Sequence, residues 1–189
     1  VDMRLMPRSG AAAAFASLLV ASSAAADPQT SLGLTVGGVS ERAFGAGSAQ
    51  GALHLGGRAD ILFLRNRGTD MAIGPYVDLA TSSFRDLDLG GGAEWLLPIR
   101  DDLPLVLSAG PFWRNGEGRS WAPGLESTVF FGSRSYNFHS PYGLAIGVFT
   151  QTRWLPSSPG AADVVVGVQI DGELLILPDL LILSWMRTS

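Results

Sequence analysis

The stretch YGLAIGVFTQTRW, Tyr142 to Trp154, decides how the whole chain reads. Every second position, from Tyr142 through Leu144, Ile146, Val148, Thr150 and Thr152 to Trp154, is apolar, aromatic or threonine. The positions between them are Gly143, Ala145, Gly147, Phe149, Gln151 and Arg153, mostly small or polar. A period of two describes a strand with two unlike faces. One face carries an aromatic at each tip. The other carries glycine and ends in arginine.

Working outward, the same alternation recurs in runs at about 31–40, 50–64, 71–82, 86–98, 103–115, 121–134, 141–154 and 163–176. Between them lie turn-rich stretches. SERAFGAGSAQ, TSSFRD, RNGEGRS and LPSSPGAAD follow the odd-numbered runs, and short polar turns such as RNRGTD and IRDD fall among the others. No long segment has a helical period, and no phosphate-binding glycine motif follows a strand. Gly90-Gly91-Gly92 lies inside the fourth run, where glycine serves close packing or a bend.

Sorting the runs by parity separates two faces. One collects Leu53, Ile61, Phe63, Ile73, Val77, Leu79, Leu87, Leu89, Trp95, Leu105, Leu107, Trp113, Leu125, Val129, Phe131, Val166 and their like. The other collects His54, Arg58, Asp60, Tyr76, Asp78, Asp88, Glu94, Ser108, Arg114, Glu126, Thr128, Arg134, Gln151, Arg153, Gln169, Asp171 and Glu173, interspersed with glycine. With runs alternating up and down, Trp113, Trp121 and Trp154 gather at one rim, and Phe63, Trp95 and Tyr142 at the other. Twelve steps from Tyr142 to Trp154 span ~40 Å at about 3.3 Å each. A tilt of about 40° projects this to ~30 Å, close to an outer-membrane apolar band with its interfaces. The expectation is a closed antiparallel barrel of eight strands, apolar face to lipid and polar face inward, with every backbone group satisfied.

Composition agrees. The chain has 189 residues, 24 glycines, no cysteine and no lysine, and only 16% charged residues. A soluble surface usually carries about 25–35%. A net charge of -4 without a basic stripe argues against nucleic acid. Absent cysteine excludes disulfides, thiolate metal sites and cysteine lipidation. Arg4 and Arg8, the apolar run Gly10–Val20 and Ala24-Ala25-Ala26 before Asp27 form a secretory signal pattern, residues 1–26. Its removal takes away Asp2, Arg4 and Arg8 and leaves 11 arginines against 16 acidic residues. The barrel is then expected over 27–177.

These features resemble the small eight-stranded outer-membrane barrels of the OmpA transmembrane-domain and OmpX type. The likeness covers Ser31 to Leu177 and rests on strand count, parity, girdles and signal pattern. It implies a Gram-negative outer-membrane location, a monomer, and outer-membrane lipid and the barrel-assembly machinery as partners. One departure stands out. The last strand of such barrels ends in an aromatic, whereas Leu175 and Leu177 follow Gly172 here. Residues 178–189, containing LLILSWMRTS, read equally as a tail, as a substitute final strand with Trp185 as its aromatic, or as a sign that the last strand is misassigned.

Eight strands leave an interior that side chains fill, so inward charges are expected to pair. Arg58, Asp60, Asp78, Glu94, Glu126, Arg134 and Asp171 form the expected lumen network, with Arg58 pairing to Asp60, Asp78 or Glu126. Arg114, Arg119 and Arg153, beside the rim tryptophans, are candidates for contact with anionic lipid head groups. No catalytic, cofactor or metal site is expected, and the role is structural or one of surface and lipid interaction.

Two other readings compete. A secreted lipocalin-like ligand-binding barrel would turn the same alternation inside out, which suits neither the glycine-rich polar face nor the tryptophan rings. Small outer-membrane barrels also include lipid A deacylases and acyltransferases, which use His, Ser and an acid. Here His54 reads as a lumen histidine, and His139-Ser140, adjacent in sequence, point apart if extended.

Overall fold

The computed structural model describes residues 28–41, 50–100, 103–116, 121–136, 145–156 and 162–171. Eight strands account for nearly all of them: β1 Gln29–Glu41, β2 Gln50–Leu62, β3 Ala72–Ser82, β4 Asp86–Arg100, β5 Leu103–Gly116, β6 Ala122–Gly132, β7 Ile146–Trp154 and β8 Ala162–Asp171. They follow the alternating runs to within a few residues. Each pairs antiparallel with the next, and β1 closes on β8 through Gly33↔Asp171 to Ser40↔Val164. The sheet is a closed barrel with no free edge. We call the end at which β1 begins the lower end, and the opposite one the upper end.

Parity decides what each residue faces, because side chains alternate across the sheet. Odd positions of β3, from Ile73 to Leu79, are exposed outside, while Gly74, Tyr76, Asp78 and Ala80 are buried inside. The same split holds around the barrel, so large apolar groups such as Leu34, Leu53, Val77, Leu89, Leu125, Val148 and Val166 stand on the outer surface. On β4 the outward positions run from Leu87 to Ile99. At about 3.4 Å per residue and a tilt of about 40°, they cover ~30 Å of barrel height.

The interior is less uniformly polar than the parity sort predicts. Ala72, Leu96, Val106, Phe130 and Phe149 are register partners on consecutive strands and form an inward apolar row. With Leu62, Val39 and Val165 they make a buried cluster inside the lumen. Glycine makes room for these rings, and a Cβ on Gly147 would strike the ring of Phe130. Phe149, for example, lies in register with Gly167.

Glycine matters where strands approach most closely. A Cβ on Gly92 would strike the backbone of Ala109 and Gly110, and a Cβ on Gly110 the backbone of Gly91 and Gly92. The glycine run on β4 thus serves close packing.

The β3–β4 hairpin turns through Ser83 and Phe84, with φ of 50° and 59°. Two successive positive φ values match a type I′ turn, normally made by Asn and Gly. Arg85 N donates to Ser82 O at 3.0 Å. Ser83 N donates to Leu53 O at 2.7 Å, and Ser83 Oγ accepts from Leu53 N at 3.0 Å. Phe84 projects from the tip, 77% exposed.

Candidate functional site: a filled and charged lumen

Alternation on eight strands aims acids and arginines at one axis, and the narrow bore makes them meet. The lower cluster centres on Arg134, just beyond β6. Its guanidinium bonds Asp60 of β2, with Asp171 of β8 at 3.8 Å and Glu94 of β4 at 3.9 Å. Burial alone would lower the pKa of Arg134, but Asp60 and the neighbouring acids hold it well above the ordinary value. Arg58 of β2 donates to Glu94 at 2.8 Å and lies 4.0 Å from Asp60. Its guanidinium also stacks 3.9 Å above the Tyr76 ring. Beneath this, Arg65 sits over Tyr136 at 4.8 Å. Burial pushes the Tyr136 phenol above its usual range.

At mid-depth, Tyr76 Oη donates to Glu126 Oε1 at 3.0 Å, and Gln151 Nε2 reaches both Glu126 at 3.1 Å and Asp78 at 3.3 Å. Toward the upper end, Asp88 of β4 accepts from two arginines. Arg114 reaches it through Nε at 2.7 Å and Nη2 at 2.9 Å, and Arg153 through Nη1 at 2.7 Å. Arg114 Nη1 also donates to Asp163 at 2.6 Å. Charge-assisted bonds converging from four strands lock this end.

The seven expected network residues are thus divided. Arg58, Asp60, Glu94, Arg134 and Asp171 share one cluster, while Asp78 and Glu126 belong to another. Arg58 takes Glu94 first, and Arg134 supplies the main partner of Asp60. Arg153, at 3.8 Å, is the guanidinium near Glu126. Arg114 and Arg153 require a correction as lipid contacts. Both sit on inward parity and are committed to lumen acids, and Arg153 is 1% exposed. Arg119 lies outside the described residues, as do Tyr142, His139-Ser140 and residues 172–189.

Of the expected girdle residues, Trp113, Trp121 and Trp154 stand outward toward the upper end. Trp95 stands outward in the lower part, where Ile73 pairs with Phe63 on one side and with Trp95 on the other. The sequence reading leaves out Arg65, which lies in the turn RNRGTD beyond the second run, and Asp163, which stands where LPSSPGAAD meets the eighth run. Asp163 shares its parity with Gln169 and Asp171, which is the signal that places it inward. His54 is buried, with Nε2 3.1 Å from Thr35 Oγ1 and its ring 5.7 Å from that of Phe149. Among the described residues no three His, Cys, Asp or Glu side chains could hold a metal ion.

These features define a class: closed eight-stranded antiparallel barrels with a filled, ion-paired interior, consistent in shape with the small OmpA/OmpX-like barrels. The chain matches no protein-family model and no curated protein.

Proposed function

We propose that this chain is a monomeric outer-membrane barrel of a Gram-negative cell, reached through a signal peptide, with a structural or lipid-interacting role and no pore. One observation carries the reading: the barrel is apolar outside and charged inside. In water that arrangement leaves a continuous band of large apolar groups uncovered. In a bilayer the band faces acyl chains, closure satisfies every backbone group, and tryptophans toward the two ends suit the interfaces. A soluble ligand-binding barrel calls for the reverse, an apolar cavity beneath a polar coat.

The lumen supports the absence of a pore. Inward apolar groups and ion pairs occupy the bore, and the cavity beside Asp78 and His54 measures about 20 Å³. That is room for one water. The role then falls to the outer wall and the loops, in contact with lipid, with insertion by the barrel-assembly machinery. Fractionation with heat-modifiable gel migration tests this. The protein is expected in the outer membrane, migrating differently before and after boiling. A protein recovered soluble and monomeric without detergent would overturn the reading.

A further inference from the structure

We infer that the middle of the lumen is a one-proton site, formed by the carboxyl groups of Asp78 on β3 and Glu126 on β6. The two strands are not neighbours, so these groups meet across the bore. One Cβ position on Gly90 would touch both Asp78 Oδ1 and Glu126 Oε1, so the two oxygens face the same point, and both carboxyls accept from the same nitrogen, Gln151 Nε2. Two ionised carboxylates converging in a buried bore repel each other, and neither has a hydrogen to offer the other, so one proton between them is favoured. Asp78 Oδ1 is buried, and no N–H or hydroxyl among the described residues donates to it. A proton shared with Glu126 satisfies that oxygen.

The surroundings do not supply two cations instead. From β2, Arg58 is committed to Glu94 and Asp60. From β7, Arg153 is committed to Asp88 and approaches Glu126 only at 3.8 Å through Nε. From β3 and β4 the facing groups are Tyr76, which donates to Glu126, and the acids Asp88 and Glu94. His54 of β2 contributes Nε2 to Thr35.

Two independent features shape the place. A Cβ at Gly90 would collide with Asp78 Oδ1 and Glu126 Oε1, so β4 leaves its side chain out where the carboxyls converge. Beside them is the small cavity, lined by Asp78, Thr128 and His54. Thr128 Oγ1 and His54 Nδ1 are both buried without a hydrogen-bond partner. One water there would satisfy such atoms and pass a proton to or from the pair. Arg58 and Arg153 also line the cavity and would repel a metal cation. The site therefore takes a proton and a neutral water.

Infrared spectroscopy of the full chain in lipid vesicles at neutral pH tests this. The expected result is a carbonyl stretch of a protonated carboxylic acid. It should disappear in Glu126→Gln and equally in Asp78→Asn, since an amide on either side lets the remaining acid ionise. If one variant fails to fold, the other decides alone. If both fail, Gln151→Leu, which removes the donor the two carboxyls share, should shift the band, whereas Glu94→Gln, at the other buried glutamate of the described residues, should leave it in place. Absence of the band from the unaltered chain overturns the proposal. So does a band that persists in either folded variant, or one that Glu94→Gln abolishes.

Discussion

Arg153 Nη1 lies 2.7 Å from Asp88 Oδ2, joining β7 to β4 across the bore although β5 and β6 intervene in the wall. The same carboxylate accepts from Arg114 of β5. Breaking a buried pair leaves a charge with no water to solvate it. Arg153→Ala is expected to destabilise the barrel by roughly 3–5 kcal/mol. Urea unfolding in vesicles measures it, and adding Asp88→Asn should recover part of the loss.

The lower cluster makes a graded prediction. Arg58 touches Glu94 at 2.8 Å and stacks on Tyr76. Arg58→Ala removes both and should cost roughly 3–5 kcal/mol. Glu94→Gln keeps the shape and a hydrogen-bonding oxygen, so its unfolding midpoint should fall less than that of Arg58→Ala. Equal losses would show that the charge on Glu94, and not the packing of Arg58, carries the effect.

Val77 faces outward from the middle of β3 and is 58% exposed. In lipid, Val77→Arg should cost roughly 2–4 kcal/mol, as for a cation near the bilayer midplane. On a water-facing wall the same change should be close to neutral, within about 0.5 kcal/mol. Equilibrium unfolding of the two proteins separates these cases, independently of fractionation.

The lumen should carry no steady current. Phe130 and Phe149 are buried in register, with ion-pair clusters on either side. Planar-bilayer recording is expected to show a quiet membrane. A large, stable conductance would contradict a filled bore. Phe130→Ala should lower stability by roughly 3–5 kcal/mol through the void it leaves.

The β3–β4 hairpin offers a gain in stability. Phe84 holds φ at 59° with its ring in the open, a conformation disfavoured by roughly 1–2 kcal/mol for a residue with a Cβ. Phe84→Gly should relieve part of this and raise stability by about 1 kcal/mol, read as a higher urea midpoint. An unchanged or lower midpoint would mean that the phenyl ring makes a compensating contact in the membrane-bound protein.

Strand number, strand limits and the division into two faces were legible in the linear sequence, because the period of two is a property of the single strand. Leu87 and Asp88 must point opposite ways whatever lies beyond β4. Which residues pair inside was not legible. Arg58, Asp60 and Asp78 are close in sequence or register, yet Arg58 goes to Glu94, Asp60 to Arg134 and Asp78 to Gln151. Those choices depend on the closure of β1 onto β8, which brings non-adjacent strands to within hydrogen-bond reach across a narrow bore. Alternation determined that Arg114 and Arg153 share a face with the acids. Only the closed barrel, by placing Asp88 between them, decided that both are held in the lumen and kept from the rim.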